Sequence, residues 1–311
     1  MTTAELFPGF QVKAVPYKEV NGHEILAGII VPENLAPGKH PIIARFHGGF
    51  LATGGHAIWF QSWLKDYAKL HSAIIVAADY RLIPEHNGLE MMQDLSDFWD
   101  WVFKKLPSFL DSGIEADLDK ILIEGDSAGG YLAVQSALDL GTKAKAMMAV
   151  YPPIDLKIPF FTTAYERNMV GFPMYPADTI EKHMASVKPT DVASTAEPPL
   201  RLELGFSAIQ QGRFVELLGS DPILFPMERL DTVEHVPSMM ILHGENDSGV
   251  PYKSSEAFVE KLKETHPQVK VHYNVVPDCE HGLDAVATLD TPWLKEGLDF
   301  ITPLWLGSGT M

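Results

Sequence analysis

Short apolar segments alternate along this chain with segments of helical periodicity, and this alternation constrains the fold more than any other feature. The apolar segments lie at 24–32, 41–47, 73–80, 120–126, 145–151, 237–244 and 269–277. Several are continuous, as in strands buried on both faces of a helix-covered parallel sheet. Helical patterns occupy 57–70, 89–105, 127–140, 252–265 and 284–300. We predict an α/β fold: a mostly parallel sheet of about eight strands with helices on both faces, opening with an antiparallel strand or two.

One segment, 155–235, breaks the alternation. It contains no convincing strand, and it collects prolines and aromatic residues, including Phe160, Phe161, Phe172 and Tyr175. An insertion between two strands of a core can fold over the carboxyl ends of a sheet without disturbing it. We predict a helical cap over 155–235 and a core formed by 1–154 and 236–311. The apolar residues of the cap suit an acyl chain or an aromatic ring, or equally a small core of the cap itself.

The charge balance argues against several kinds of partner. The chain has 41 acidic and 24 basic residues, which gives a net charge of −17. Such a protein repels phosphate backbones and anionic lipid, so no nucleic-acid partner is expected. No run of 18 apolar residues occurs, and the first residues lack a basic segment followed by an apolar one. We therefore expect neither a membrane span nor a cleaved secretion signal.

The cysteine and histidine content bears on metals and cofactors. Cys279 is the only cysteine, which rules out an internal disulfide and a multi-cysteine metal site. It fits a reducing compartment, so a cytoplasmic location is expected. The histidines show no metal-ligand spacing, and no G-x-G-x-x-G or phosphate-loop pattern occurs. We predict no metal and no cofactor, while the sequence leaves a homodimer open.

Ser127 lies in a G-x-S-x-G pattern with Gly125 and Gly129, between an apolar strand and a helical pattern. At such a turn the serine occupies strained backbone, and the residues two positions away must be small for the turn to close. The helix that begins here points free N–H groups and its positive end at the serine oxygen. The alternative is a glycine-rich turn whose serine merely caps the helix. The strand and helix on either side favour a nucleophile.

Two glycines follow an earlier apolar strand in the sequence His47, Gly48, Gly49. A tetrahedral intermediate of acyl transfer needs N–H donors where negative charge develops, and glycine lets the backbone approach closely. We predict that Gly48, Gly49 and Ala128 donate these N–H groups. A plain glycine turn beside a buried His47 is the alternative. The position one strand-helix-strand unit before Ser127 favours an oxyanion hole.

A serine nucleophile needs a base, and the base needs a carboxylate to orient it. Asp247 comes just after one late strand, and His281 comes just after the next. The resulting order of serine, aspartate and histidine is the one expected for this architecture. Four further acids compete with Asp247, namely Glu245, Asp278, Glu280 and Asp284. Asp247 is preferred because a residue two or three positions past a strand suits a loop that reaches the histidine, whereas the last three crowd His281 itself.

Three motifs occur in a fixed order: HGG at 47–49, DYRLIPEH at 79–86 and GDSAGG at 125–130. With them the chain resembles the hormone-sensitive-lipase-like esterases of the α/β-hydrolase superfamily, over about 25–155 and 237–300. The resemblance implies a triad and three oxyanion donors at matched positions, which are Ser127, Asp247 and His281, then Gly48, Gly49 and Ala128. It also implies a supporting element beneath the site around Asp79 and Arg81. Phe50 follows HGG where the family has a third glycine.

We therefore expect a serine hydrolase that cleaves a carboxylic ester or lactone of an apolar small molecule through an acyl-enzyme. One alternative keeps the acyl-enzyme but changes its origin or its acceptor: a thioesterase, acyltransferase or cyclase that releases a biosynthetic product from a thioester. The negative charge disfavours docking of an acidic carrier protein. The other alternative is a non-catalytic small-molecule receptor. Receptors that resemble this family have lost the catalytic histidine, whereas His281 is present here.

Overall fold

The computed structural model describes residues 3–307, whose strands form one eight-stranded sheet. The strands are β1 (Phe10–Val20), β2 (His23–Pro32), β3 (Gly38–Phe46), β4 (Ile74–Ala78), β5 (Ile114–Asp126), β6 (Ala146–Val150), β7 (Ser238–Gly244) and β8 (Val271–Val276). Their order across the sheet is β1-β2-β4-β3-β5-β6-β7-β8. The β1–β2 and β2–β4 pairs are antiparallel, and all other neighbours are parallel. The predicted fold class is confirmed.

Helices cover both faces of this sheet. They are α1 (Thr3–Leu6), α2 (Ser62–Leu70), α3 (Gly88–Lys104), α4 (Ala128–Leu140), α5 (Pro159–Thr162), α6 (Thr179–Met184), α7 (Leu202–Gln210), α8 (Phe214–Leu218), α9 (Pro226–Arg229), α10 (Tyr252–Thr265) and α11 (Pro292–Leu306). Short 3-10 turns lie at Leu106–Phe109, Gly141–Lys143 and Pro222–Leu224. Within 3–307, no helix combines the length and the apolar character that crossing a membrane requires.

The alternation of side chains along each strand divides the buried core between the two faces. In β4, Ile74 and Val76 pack in one cluster with α3, α4 and α10. Their neighbours Ile75 and Ala77 pack in a second cluster with α2 and α11. Because successive residues of a strand point to opposite faces, both sets must be apolar when both faces are covered. This explains why the central strands are continuous apolar segments.

The segment 155–235 contributes α5 to α9 and none of the eight sheet strands. Its buried side chains, such as Phe161 and Phe206, belong to the same cluster as those of α3 and α4. It is also tied to α4 directly, because the Tyr131 hydroxyl donates to the carbonyl of Leu224 at 2.9 Å. The division of the chain into a core and a cap stays a prediction.

One predicted helix is displaced. The pattern over 284–300 predicts a helix, but α11 begins only at Pro292, with Thr291 as its N-cap. Proline is favoured in the first helical turn because its missing N–H would have no partner there. Asp284, at the start of the predicted helix, makes tertiary contacts instead. Trp63 and Tyr151 both donate to the carboxylate of Asp284, at 2.9 and 2.6 Å.

Candidate active site

Ser127 stands between the end of β5 and the start of α4. Its backbone has a φ of 52° and a ψ of −124°, a strained conformation that persists only when the surroundings enforce it. The surroundings leave no room for side chains nearby. A Cβ on Gly125 would lie 2.1 Å from the carbonyl oxygen of Gly129, and one on Gly129 would lie 2.0 Å from that of Phe46. The turn therefore needs both glycines of the G-x-S-x-G pattern.

The structure brings the three predicted triad residues together. The Oγ atom of Ser127 lies 3.0 Å from Nε2 of His281. The Nδ1 atom of His281 lies 2.8 Å from Oδ2 of Asp247. An ionised carboxylate only accepts hydrogen bonds, so Nδ1 carries the proton and donates to Asp247. Nε2 is then left as an acceptor for the serine hydroxyl, which is the arrangement that a general base requires.

The carboxylate of Asp247 is held in its ionised form. Burial alone would raise its pKa, but the charge of His281 and hydrogen bonds from His243 and His281 lower that pKa to about 2. The backbone N–H groups of Gly249 and Val250 donate to its other oxygen, at 2.8 and 2.7 Å. The His281 ring and the two backbone N–H groups thus fix the orientation of the Asp247 side chain, and through it the orientation of the imidazole.

The competing acids have other partners. Glu280 accepts from the backbone N–H of His281 at 2.7 Å, and from the N–H and hydroxyl of Ser248 at 2.6 and 2.7 Å. Asp284 accepts from Trp63 and Tyr151, two side chains of the second cluster. Glu245 accepts a long bond of 3.4 Å from the N–H of Asp278. Glu280 therefore ties the acid loop to the histidine loop, while Asp247 contacts the imidazole ring itself.

The glycine loop after β3 lies against the nucleophile. A Cβ on Gly48 would lie 3.3 Å from the Cβ of Ser127, and Gly49 lines the same cavity as Ser127. Two contacts of His47 stabilise this loop. Its Nδ1 donates to the carbonyl of Gly48 at 2.7 Å, and its ring stacks on that of Tyr80 with 4.3 Å between the ring centres. Burial lowers the pKa of His47 to about 4, so its ring is neutral at pH 7. Ala128, the third predicted donor, follows Ser127 directly.

The DYRLIPEH segment supports the loops around the site without contacting the nucleophile. The Tyr80 hydroxyl donates to the carbonyl of His47 at 2.7 Å. Asp79 accepts from the backbone N–H of His56 at 2.6 Å. Arg81 donates to both oxygens of Asp94 on α3, at 3.0 and 2.9 Å. These bonds join β4 to the glycine loop on one side and to α3 on the other.

A cavity of about 500 Å³ opens onto Ser127 and His281. Its lining is mostly apolar, with few polar side chains: Gly49, Phe50, Trp59, Phe60, Gln61, Ser62, Asp126, Tyr151, Val170, Phe172, Leu202, Phe206, Gly282 and Ala285. Pockets of this size and character bind small molecules. In the part of the chain that the structure describes, no group of three His, Cys, Asp or Glu side chains is placed to hold a metal ion.

A family model described as alpha/beta hydrolase fold matches residues 43–285. The chain belongs to the alpha/beta hydrolase family. The resemblance that the HGG, DYRLIPEH and GDSAGG motifs indicate is thereby confirmed.

This alpha/beta hydrolase is 32% identical to "Probable carboxylesterase M8" of Phoma sp., over 96% of its own chain and 98% of that protein. It is 27% identical to part of "Non-reducing polyketide synthase atr1" of Stereocaulon alpinum, over 84% of its own chain but 12% of the synthase. Among solved structures, "Thermogutta terrifontis esterase 2 phosphonylated by sarin" has a TM-score of 0.61 at 20% identity, covering 94% of this chain and 93% of that one. The last comparison shows the shared fold.

Sequence reasoning missed the residue on which the histidine ring of this hydrolase packs. Tyr151 follows β6, and its ring lies 4.3 Å from that of His281. Burial, then the charge of Asp284, raises the pKa of Tyr151 well above its usual range, so its hydroxyl stays protonated and donates to Asp284. A tyrosine that ends an apolar strand gives no sequence signal of this role.

Sequence reasoning also missed a buried charge cluster behind the nucleophile. Arg45 and Glu124 are register partners on β3 and β5, with Nε and Oε2 3.6 Å apart. Arg45 also donates to Asp126 at 2.9 Å. Burial raises the pKa of Asp126 to about 6 and that of Glu124 well above its usual range, with Arg45 opposing both shifts. Here a signal was available, because Arg45 interrupts the apolar run PIIARF of β3 and Glu124 follows the apolar run ILI of β5.

Proposed function

We propose that this hydrolase cleaves carboxylic esters of apolar small molecules, with Ser127 as nucleophile, His281 as base and Asp247 as the orienting acid. The observation that carries the proposal is the continuous hydrogen-bonded chain from Ser127 Oγ to His281 and on to Asp247, at 3.0 and 2.8 Å. The 32% identity to a relative named as a probable carboxylesterase supports the choice of ester. The apolar lining of the cavity supports an uncharged substrate.

The reaction follows from the positions of the groups. His281 Nε2 takes the proton of the Ser127 hydroxyl as Oγ attacks the ester carbonyl carbon. The carbonyl oxygen becomes an oxyanion, for which Gly48, Gly49 and Ala128 supply N–H donors. When the carbon–oxygen bond to the alcohol breaks, His281 returns the proton to the departing oxygen. Water then attacks the acyl-enzyme by the same route, releasing the acid and restoring Ser127.

Replacing the nucleophile tests this assignment. In Ser127→Ala we expect kcat for an activated p-nitrophenyl ester to fall by about a millionfold, since loss of the nucleophile removes covalent catalysis. Ser136→Ala is the matched control, because Ser136 is also a buried serine and lies on the helix α4 that Ser127 precedes, but outside the site. A fluorophosphonate should label Ser127 in the unsubstituted protein, as located by mass spectrometry of its peptides. A label on another residue, or full activity of Ser127→Ala, would contradict the mechanism.

A second candidate uses the same acyl-enzyme with a thioester as its source. The observation in its favour is the similarity to part of a polyketide synthase. A thioesterase, acyltransferase or cyclase would prefer an acyl thioester to the matching oxygen ester, after correction for their intrinsic reactivity. Comparing kcat/KM for the two substrates decides between these functions. A non-catalytic receptor would turn over neither.

A further inference from the structure

Phe50 occupies an unusual backbone conformation at the edge of the cavity. It follows HGG and has a φ of 59°, and Leu51 after it also has a φ of 59°. Glycine adopts such angles freely, whereas other residues are strained there. A phenylalanine at this position therefore needs surroundings that hold it in place.

Helix α7 is shaped to receive the Phe50 ring. The facing residue on α7 is Gly205, where a Cβ would lie 2.5 Å from the Cβ of Phe50 and 2.8 Å from its Cγ. The next residue, Phe206, is buried and places its ring 4.6 Å from that of Phe50. A larger residue at 205 would displace Phe50. The glycine and the phenylalanine thus form a complementary pair across the two segments.

Three phenylalanine rings form one continuous surface of the cavity, which we name the aromatic wall: Phe50, Phe172 and Phe206. The ring of Phe172 lies 4.6 Å from that of Phe206, with an angle of 33° between their planes. All three residues line the cavity that contains Ser127 and His281. Phe172 is 38% exposed, so part of the wall is free to meet a ligand.

We infer that the aromatic wall selects esters that carry an uncharged aromatic ring, and that Phe50 is a specificity-determining residue. This rests on the proposed ester hydrolysis at Ser127. Aromatic rings pair through their quadrupoles as well as by burial, and a saturated ring of the same size gains the burial alone. The difference corresponds to a preference of about threefold to tenfold. The described cavity lining includes no Lys or Arg side chain, so an anionic ring gains no partner there.

Two matched pairs of substrates test the selection, and they show which side of the ester meets the wall. Benzyl acetate against cyclohexylmethyl acetate varies the alcohol, and methyl phenylacetate against methyl cyclohexylacetate varies the acyl group. In each pair the ring is one carbon away from the ester, so intrinsic reactivity is nearly equal. We expect kcat/KM to favour the aromatic member by about threefold to tenfold in at least one pair. Equal values in both pairs would overturn the inference.

Substitution of Phe50 tests whether this residue determines the aromatic preference. Phe50→Leu keeps an apolar side chain, and Leu51 shows that leucine takes the same backbone angle. We expect the aromatic preference to fall towards one in this variant. Phe300→Leu is the control, because the Phe300 ring lies beside His272 and is not part of the cavity lining. The aromatic preference of this variant should stay unchanged. An unchanged preference in Phe50→Leu would overturn the role of Phe50.

Failure of the inference and failure of the proposed function give different results. Suppose that a fluorophosphonate labels Ser127. If kcat/KM is then equal within both pairs, or if none of the four esters is turned over, the aromatic selection alone is overturned. Absence of both labelling and turnover overturns the proposed function and the inference with it.

Discussion

At the scale of single residues, the orientation of His281 depends on one carboxylate. Asp247 accepts from the imidazole Nδ1 and from two backbone N–H groups, and its low pKa keeps it ionised at all ordinary pH values. In Asp247→Asn the amide has no charge to stabilise the imidazolium, and it stabilises the wrong tautomer of the base. We expect kcat for an activated ester to fall by about four orders of magnitude with little change in KM.

The competing acids supply the control for that prediction. Asp278→Asn removes a carboxylate from the loop that precedes His281. The backbone N–H of Asp278, which donates to Glu245, is kept. The substitution should leave kcat within about twofold of the original, as surface substitutions away from a site usually do. Steady-state kinetics of Asp247→Asn and Asp278→Asn measure the loss of kcat in each variant. Comparable losses in the two would mean that the acid has been wrongly chosen.

The sequence predicted the three residues that the structure brings together at the candidate site better than it predicted the residues packed around them. Ser127, Asp247 and His281 stand just after strands, and the carboxyl ends of parallel strands converge at one edge of a sheet. Nothing local distinguishes Tyr151, whose role depends on packing against the ring of His281, 130 residues away in sequence. Such contacts are set by tertiary structure, which periodicity does not record.

At the scale of elements, strand cores were predictable and element ends were not. Every apolar segment predicted as a strand overlaps one, from β2 to β8. An antiparallel strand or two was expected at the start of the sheet, but the bounds of the edge strand β1 were not predicted, because Pro16 interrupts its pattern; the structure has a register shift between Pro16 and Lys18. The start of α11 was misplaced because tertiary contacts of Asp284 compete with helix formation.

The loop after β3 gives a pH-dependent prediction at this scale. Burial lowers the pKa of His47 from 6.5 to about 4, although the charge of Asp79 and the bond to Gly48 oppose the shift. The unfolded chain binds a proton near pH 6.5 and the folded one only near pH 4, so the stability present above 6.5 is lost as pH falls to about 4. From pH 7 to pH 5 the loss is about 2 kcal/mol.

His47→Asn isolates this contribution, because an asparagine amide can still donate to the carbonyl of Gly48 but does not titrate. We expect the free energy of unfolding in urea, followed by circular dichroism, to fall between pH 7 and pH 5 by about 2 kcal/mol less in the variant than in the original. Parallel pH profiles for the two proteins would show that His47 does not titrate as the structure indicates.

At the scale of the whole molecule, the segment 155–235 shares its interior with the sheet. Phe161 on α5 is fully buried in the cluster that also contains Phe98 of α3 and Leu132 of α4. Arg229 on α9 donates to the side chain of Gln135 on α4 at 2.7 Å. The sequence predicts an insertion from a break in the strand pattern, but composition does not reveal whether an insertion has a core of its own.

A shared interior implies that the segment and the sheet unfold together. Phe161→Ala removes a ring from this interior, which costs about 3–5 kcal/mol. We expect scanning calorimetry to show one transition in both proteins, shifted as a whole to lower temperature in the variant. Phe172→Ala is the control within the same segment, and because Phe172 is 38% exposed it should shift the transition less. If Phe161→Ala instead splits off an early transition and leaves the main one in place, 155–235 folds as a separate domain.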